Sequence, residues 1–172
     1  MVRPDAAVAL LNRAAALLRL RRPREALAAA ERLLQQNSRN IKGLINKTLA
    51  LLALWDFPEA LATIQKVLTL DSYNPDALEL KLRTLAGLKR FREMAAEAQA
   101  ALARHPNRLT LKLEWVKALI GDGRRDEAEA QVDAILATMA HPPEAVLLKS
   151  EILLSRGERD AGQALIEQAL AK

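Results

Sequence analysis

The amino-acid sequence predicts an all-α fold, an α-solenoid of about five 34-residue helix-turn-helix repeats. Three observations carry this reading. Ala, Leu, Arg and Glu dominate and aromatic residues make up only 3% of the chain, a palette of helix formers and not of strands. A turn signature recurs, Arg22-Pro23-Arg24-Glu25-Ala26, then Asp56-Phe57-Pro58-Glu59-Ala60 one 34-residue step later. Further equal steps land on Arg90-Phe91-Arg92-Glu93-Met94, Arg124-Arg125-Asp126-Glu127-Ala128 and Glu158-Arg159-Asp160-Ala161-Gly162, with no insertion or deletion between them.

Each repeat reads as helix, short turn, helix. The first, 7–40, follows Pro4-Asp5, where Asp5 can cap the opening helix, and it ends on the breakers Asn37-Ser38-Arg39-Asn40. The second, 41–74, places Leu44, Thr48 and Leu51 at helical spacing before its anchor and Leu61, Ile64, Val67 and Leu68 after it. It closes on Asp71-Ser72-Tyr73-Asn74, and Pro75 starts the third, 75–108, which ends around His105-Pro106-Asn107. The fourth, 109–142, carries an internal turn at Gly121-Asp122-Gly123 and stops at His141-Pro142; the fifth, 143–172, turns at Gly157. Residues 1–172 are read as a single array.

Composition narrows the function. The absence of cysteine removes disulfides, thiolate chemistry and Cys-based zinc sites. The net charge of +5, with Arg19, Arg21, Arg22 and Arg24 clustered, raises nucleic acid as a partner, but 21 carboxylates are interleaved and stacking aromatics are scarce. No nucleic acid is expected. The longest apolar run, Leu49 to Trp55, is far shorter than the roughly 20 residues that cross a bilayer. With no visible secretory signal, a cytoplasmic location is expected, or a periplasmic one for part of a longer exported chain. His105 and His141 sit in turns beside prolines, and no residue set offers a metal, a phosphate loop or a nucleophile with its base. The chain is therefore expected not to be an enzyme and to hold no cofactor or metal. Trp55 and Trp115 are expected in the core.

The period and these residues resemble the tetratricopeptide repeat, over essentially the whole chain. Counting each repeat from Ala7, Ile41, Pro75, Leu109 and Pro143, the family's small residue at position 20 is matched by Ala26, Ala60, Ala128 and Gly162, and Met94 departs. Position 8, usually Gly or Ala, holds Ala14, Thr48, Leu82, Val116 and Ser150, so the pairs of repeats three and four are expected to spread or shift. Position 7, usually aliphatic, holds Arg13, Lys47, Lys81, Trp115 and Lys149. This column is open to two readings: long stems laid along neighbouring helices with their charges in water, or a basic stripe for an acidic partner.

The resemblance implies a right-handed superhelix whose concave groove, lined by the first helix of each repeat, binds a partner. Mapped onto this chain, the partner-binding residues are Leu11, Asn12, Lys42, Ile45, Asn46, Leu49, Leu80, Arg83, Leu113, Lys117 and Leu147. An apolar groove suggests a protein partner's peptide or amphipathic helix, with Asn12 and Asn46 available to hold its backbone. The carboxylate clamp of some relatives is not reproduced: Asn46 matches one member, while Leu11, Ala15, Asp76 and Leu80 stand where the others belong. An interaction scaffold is thus expected. The alternatives are a recognition segment of a larger enzyme or secretion complex, and a homo-oligomer formed through an uncapped C-terminal helix bearing Leu165, Ile166, Ala169 and Leu170.

Overall fold

The structure, a computed structural model, describes residues 4–138 and 142–170, with side chains over 6–138 and 142–169. Among them are ten α-helices and no strand: α1 Pro4–Arg19, α2 Pro23–Gln36, α3 Ile41–Ala53, α4 Phe57–Leu70, α5 Pro75–Gly87, α6 Phe91–Leu102, α7 Leu109–Gly121, α8 Arg125–Thr138, α9 Pro143–Ser155 and α10 Arg159–Leu170. Helices α3, α5, α7 and α9 begin on the first residue of a predicted repeat. Their starts are built locally. The Asn40 side chain accepts from the Gly43 amide at 2.8 Å, and Asn74 accepts from Ala77 at 3.0 Å with Pro75 in the first turn. The Asp5 side chain and His141 lie outside the described residues.

The chain divides into two compact units, Met1–Leu88 and Lys89–Lys172. In the first, α1 pairs with α2 and α3 with α4, and α3 and α5 pack onto the helices preceding them. In the second, α6 contacts α7, α7 pairs with α8, α8 contacts α9, and α9 pairs with α10. Position 20 is buried throughout: Ala26, Ala60, Met94 and Ala128 are 0% exposed and Gly162 is buried. Leu82 and Val116 are as buried as the small residues at their position. The core takes up these larger groups. Thr48, Thr84 and Ser150 satisfy their buried hydroxyls by donating to the carbonyls of Leu44, Leu80 and Val146.

The turn inside each repeat has a fixed backbone form. Arg21, Trp55, Lys89, Gly123 and Gly157 stand at the same place in successive repeats, and all have positive φ, between 55° and 85°. In the first repeat the Arg22 amide donates to the Leu17 carbonyl and Arg21 to Leu18, and the same two bonds recur after α3, α7 and α9. This left-handed closure satisfies the last carbonyls of the helix. It also corrects the expectation for Trp55. The left-handed residue points outward, so Trp55 is 78% exposed and touches the Phe57 ring edge-on at 5.8 Å. Trp115, half-buried on α7, lines a cavity of about 310 Å³ with Leu102 and Ile135.

Two further glycines serve closeness. A Cβ on Gly87 would stand 2.2 Å from the Phe57 ring, and one on Gly121 2.4 Å from Phe91. The aromatic that opens one repeat's second helix is thereby seated on the end of the next repeat's first helix. Replacing a helical Gly by Ala ordinarily gains up to about 1 kcal/mol. Gly87→Ala is expected instead to lose about 1–3 kcal/mol by overpacking, and Phe57→Leu in the same chain to recover part of it, read from urea unfolding midpoints. At Gly123 an added methyl would meet nothing within 4 Å, so Gly123→Ala tests the backbone alone. It should lower stability by about 1 kcal/mol in the same measurement.

Candidate functional site

The first helices of the repeats in the first unit, α1, α3 and α5, lie side by side. Leu11, Ala15 and Leu18 on α1 and Ile45, Leu49 and Leu52 on α3 recur at i, i+4 and i+7, and all six are half-buried. Ile45, Leu49 and Leu52 rest on a core of Leu44, Ile64, Val67, Ala77 and Leu80. Their other side is open to solvent. Asn12, Lys42 and Arg83 are exposed around them. Two predicted residues hold different posts. Leu80 is 5% exposed because it belongs to that core, so it supports the face from beneath. Asn46 donates from Nδ2 to the Leu11 carbonyl at 3.3 Å, which ties α3 to α1.

In the second unit α7 and α9 lie together. Leu113 is buried, at 4% exposure, and forms core. Lys117 stands between two carboxylates, 2.9 Å from Glu114 and 2.5 Å from Glu144. Burial pulls the Lys117 ammonium down, but the two carboxylates outweigh it and hold it above the ordinary lysine range. Leu147, by contrast, is 60% exposed on α9. Among the described residues no group of three or more His, Cys, Asp or Glu is placed to hold a metal ion, and no helix is long and apolar enough to cross a membrane. His105 is half-buried.

No protein-family model matches the sequence, and comparison with curated proteins gives no match either. Solved structures do match. A tetratricopeptide repeat protein from Parabacteroides merdae superposes with a TM-score of 0.90 at 18% identity, over 99% of this chain and 66% of that one. TTC0263, a tetratricopeptide repeat protein of Thermus thermophilus, gives 0.81 at 22% identity, over 96% of this chain and 90% of its own. YrrB, described as a tetratricopeptide repeat protein with an unusual peptide-binding site, gives 0.70 at 18% identity, over 96% and 85%. The chain has the tetratricopeptide-repeat fold.

Within that fold two lysines of the column at position 7 are engaged inside the chain. Lys47 on α3 is 17% exposed and reaches Glu31 on α2 at 3.4 Å and Glu59 on α4 at 3.1 Å. Lys149 on α9 is 14% exposed and reaches Glu129 at 2.5 Å and Asp133 at 3.0 Å, both on α8. Arg156 adds pairs to Asp126 and Glu129. The stems lie along neighbouring helices, as one reading held, but the charged ends meet the protein's own carboxylates before they meet water. The stripe for an acidic partner is consumed at Lys47 and Lys149. Sequence reasoning missed this although the signal was present, since Glu31 and Asp133 stand at the same repeat position, each in the helix before the lysine it meets.

The hydrogen bond from Lys149 holds the Glu129 carboxyl below the usual carboxylate range, against the opposing effect of desolvation. A depressed carboxylate stabilises the fold above its unfolded value, and that stabilisation disappears as pH falls through the folded one. Unfolding midpoints taken from neutral pH down through the carboxylate range should therefore fall, and Glu129→Gln should start lower at neutral pH and lose less on acidification.

Proposed function

We propose that the chain is a non-catalytic scaffold whose first unit holds a peptide or an amphipathic helix of a partner protein against α1, α3 and α5. The observation that carries this is the row of half-buried aliphatic side chains, Leu11, Leu18, Ile45, Leu49 and Leu52, on two adjacent helices with Asn12, Lys42 and Arg83 exposed beside them. Half-buried leucines in a row give a bound segment apolar surface to cover, while the polar edge fixes its orientation. YrrB, which shares the fold, has a peptide-binding site by its own description. Asn46 is spent on Leu11, so the partner's backbone is held chiefly by Asn12 and its side chains by the aliphatic row.

The test is selection of peptides from a random library on the immobilised chain, followed by titration of the enriched peptides. Leu49→Glu with Leu52→Glu is expected to weaken binding roughly tenfold or more with the helical circular dichroism unchanged. Leu147→Glu, in the other unit, is expected to leave it intact. Equal binding by the native chain and the Leu49→Glu, Leu52→Glu variant would remove this face from the function.

A further inference from the structure

We propose that a second copy of the chain stacks head to tail on the first, with α1 of one copy laid against α9 and α10 of the other in the register that joins successive repeats within the chain. That register is established inside the molecule, where α3, α5, α7 and α9 each pack on the second helix of the repeat before them. Exposure compared at equivalent positions shows which side chains such a joint covers.

On the side of α9 and α10 the covering is absent. At position 5, Leu11 and Ile45 are half-buried and Leu113 is 4% exposed, but Leu147 is 60% exposed. At position 12, Leu18, Leu52 and Ile120 are half-buried and Leu154 is 51% exposed. At position 24, Ala30, Ile64, Ala98 and Val132 are fully buried, whereas Ile166 on α10 is only half-buried. The α1 side shows the reverse loss. Gly43, Ala77, Leu111 and Ala145 at position 3 are buried and Ala9 is exposed; Ala50, Thr84, Ala118 and Ile152 at position 10 are buried and Ala16 is exposed. Leu54 and Leu88 at position 14 are half-buried, while Leu20 is 64% exposed.

A second copy is the occupant because α1 carries the residues of an interior helix and α9 and α10 carry their complements. Asn12 stands where Asn46 stands, and Asn46 donates to the Leu11 carbonyl; on a second copy Asn12 faces the Leu147 carbonyl. Arg13 stands where Lys47 stands, and Lys47 pairs with Glu31, whose equivalent on α10 is Glu167. Arg13 has no carboxylate partner among the described residues. Glu167 is exposed and accepts a hydrogen bond from Gln163 at 2.8 Å. The two faces differ, so the contact is heterologous and each added copy presents a fresh face at either end.

Sedimentation of the full chain across a dilution series tests this. The expected result is mass above the monomer that grows with concentration. Leu147→Glu with Leu154→Glu, and Ala16→Glu with Leu20→Glu, should each give a monomer alone, with unchanged helical content. Mixed in equal amounts they should form a dimer and nothing larger, since each retains one intact face. Should either pair misfold, the exposed ion pair decides: Arg13→Glu should weaken association about fivefold and Glu167→Arg in the same chain should restore it. A native chain monomeric at every concentration overturns the proposal, as does one face variant that still dimerises alone, which would mark a symmetric contact. Peptide titration with a monomeric end variant separates this outcome from the function proposed above, because α1, α3 and α5 keep their aliphatic row.

Discussion

A pair of short helices buries its apolar stripe only when another pair is laid against it, and every other feature of this chain follows from that dependence. Gly43 shows how close the approach is: a Cβ there would sit 3.0 Å from Leu33 and 3.3 Å from Leu34 on α2. The joint has a polar register as well as an apolar one, through Asn46 on the Leu11 carbonyl and Lys47 on Glu31. An apolar stripe alone permits sliding by a turn, because Leu follows Leu along these helices. A donor aimed at one carbonyl and an ammonium held by a carboxylate on the next helix do not.

The lysine column illustrates how a departure from the family pattern is made tolerable. An aliphatic side chain at position 7 would bury without penalty, whereas a lysine ammonium loses hydration there. Burial lowers the titration of Lys149, yet its two carboxylates raise it further, and the net shift is upward. Exposed ion pairs contribute roughly 0–1 kcal/mol each, but these stems are largely enclosed and the charges sit in networks. The arrangement also explains why a net charge of +5 does not make these lysines a binding stripe.

Much of the fold was legible because periodicity is a property of the sequence itself. The starts of α3, α5, α7 and α9 coincide with the repeat boundaries, and at α3, α5 and α9 the cause is local, since Asn40 and Asn74 cap and Pro75 and Pro143 stand in the first turns. The turns were legible at Gly123 and Gly157 and hidden at Arg21, Trp55 and Lys89, where a non-glycine residue adopts the same left-handed form and its chemistry gives no sign of it. Trp55 was misjudged for that reason, its size arguing for burial and its backbone forcing it outward. The candidate face was only partly legible. The predicted partner-binding residues were all read as surface, yet Leu80 and Leu113 are core, Leu80 packed with Leu44, Ile64, Val67 and Ala77. No motif encodes which side of a first helix the core claims.

The same dependence separates the two surfaces that a partner can use. Stacking uses positions 3, 7, 10 and 14 of the incoming helix, as Gly43, Lys47, Ala50 and Leu54 show by their full or partial burial, while the aliphatic row of α1 and α3 belongs to positions 5, 9 and 12. These lie on different sides of one helix, so stacking leaves the aliphatic row open, and Asn12 is the one residue on which both surfaces draw. Burying a leucine contributes roughly 1.5–3 kcal/mol. Leu147, Leu154 and Leu20 are 60%, 51% and 64% exposed. Covering them is the apolar gain that the proposed stacking of α1 on α9 and α10 would bring, in the joint that the chain already makes between its own repeats.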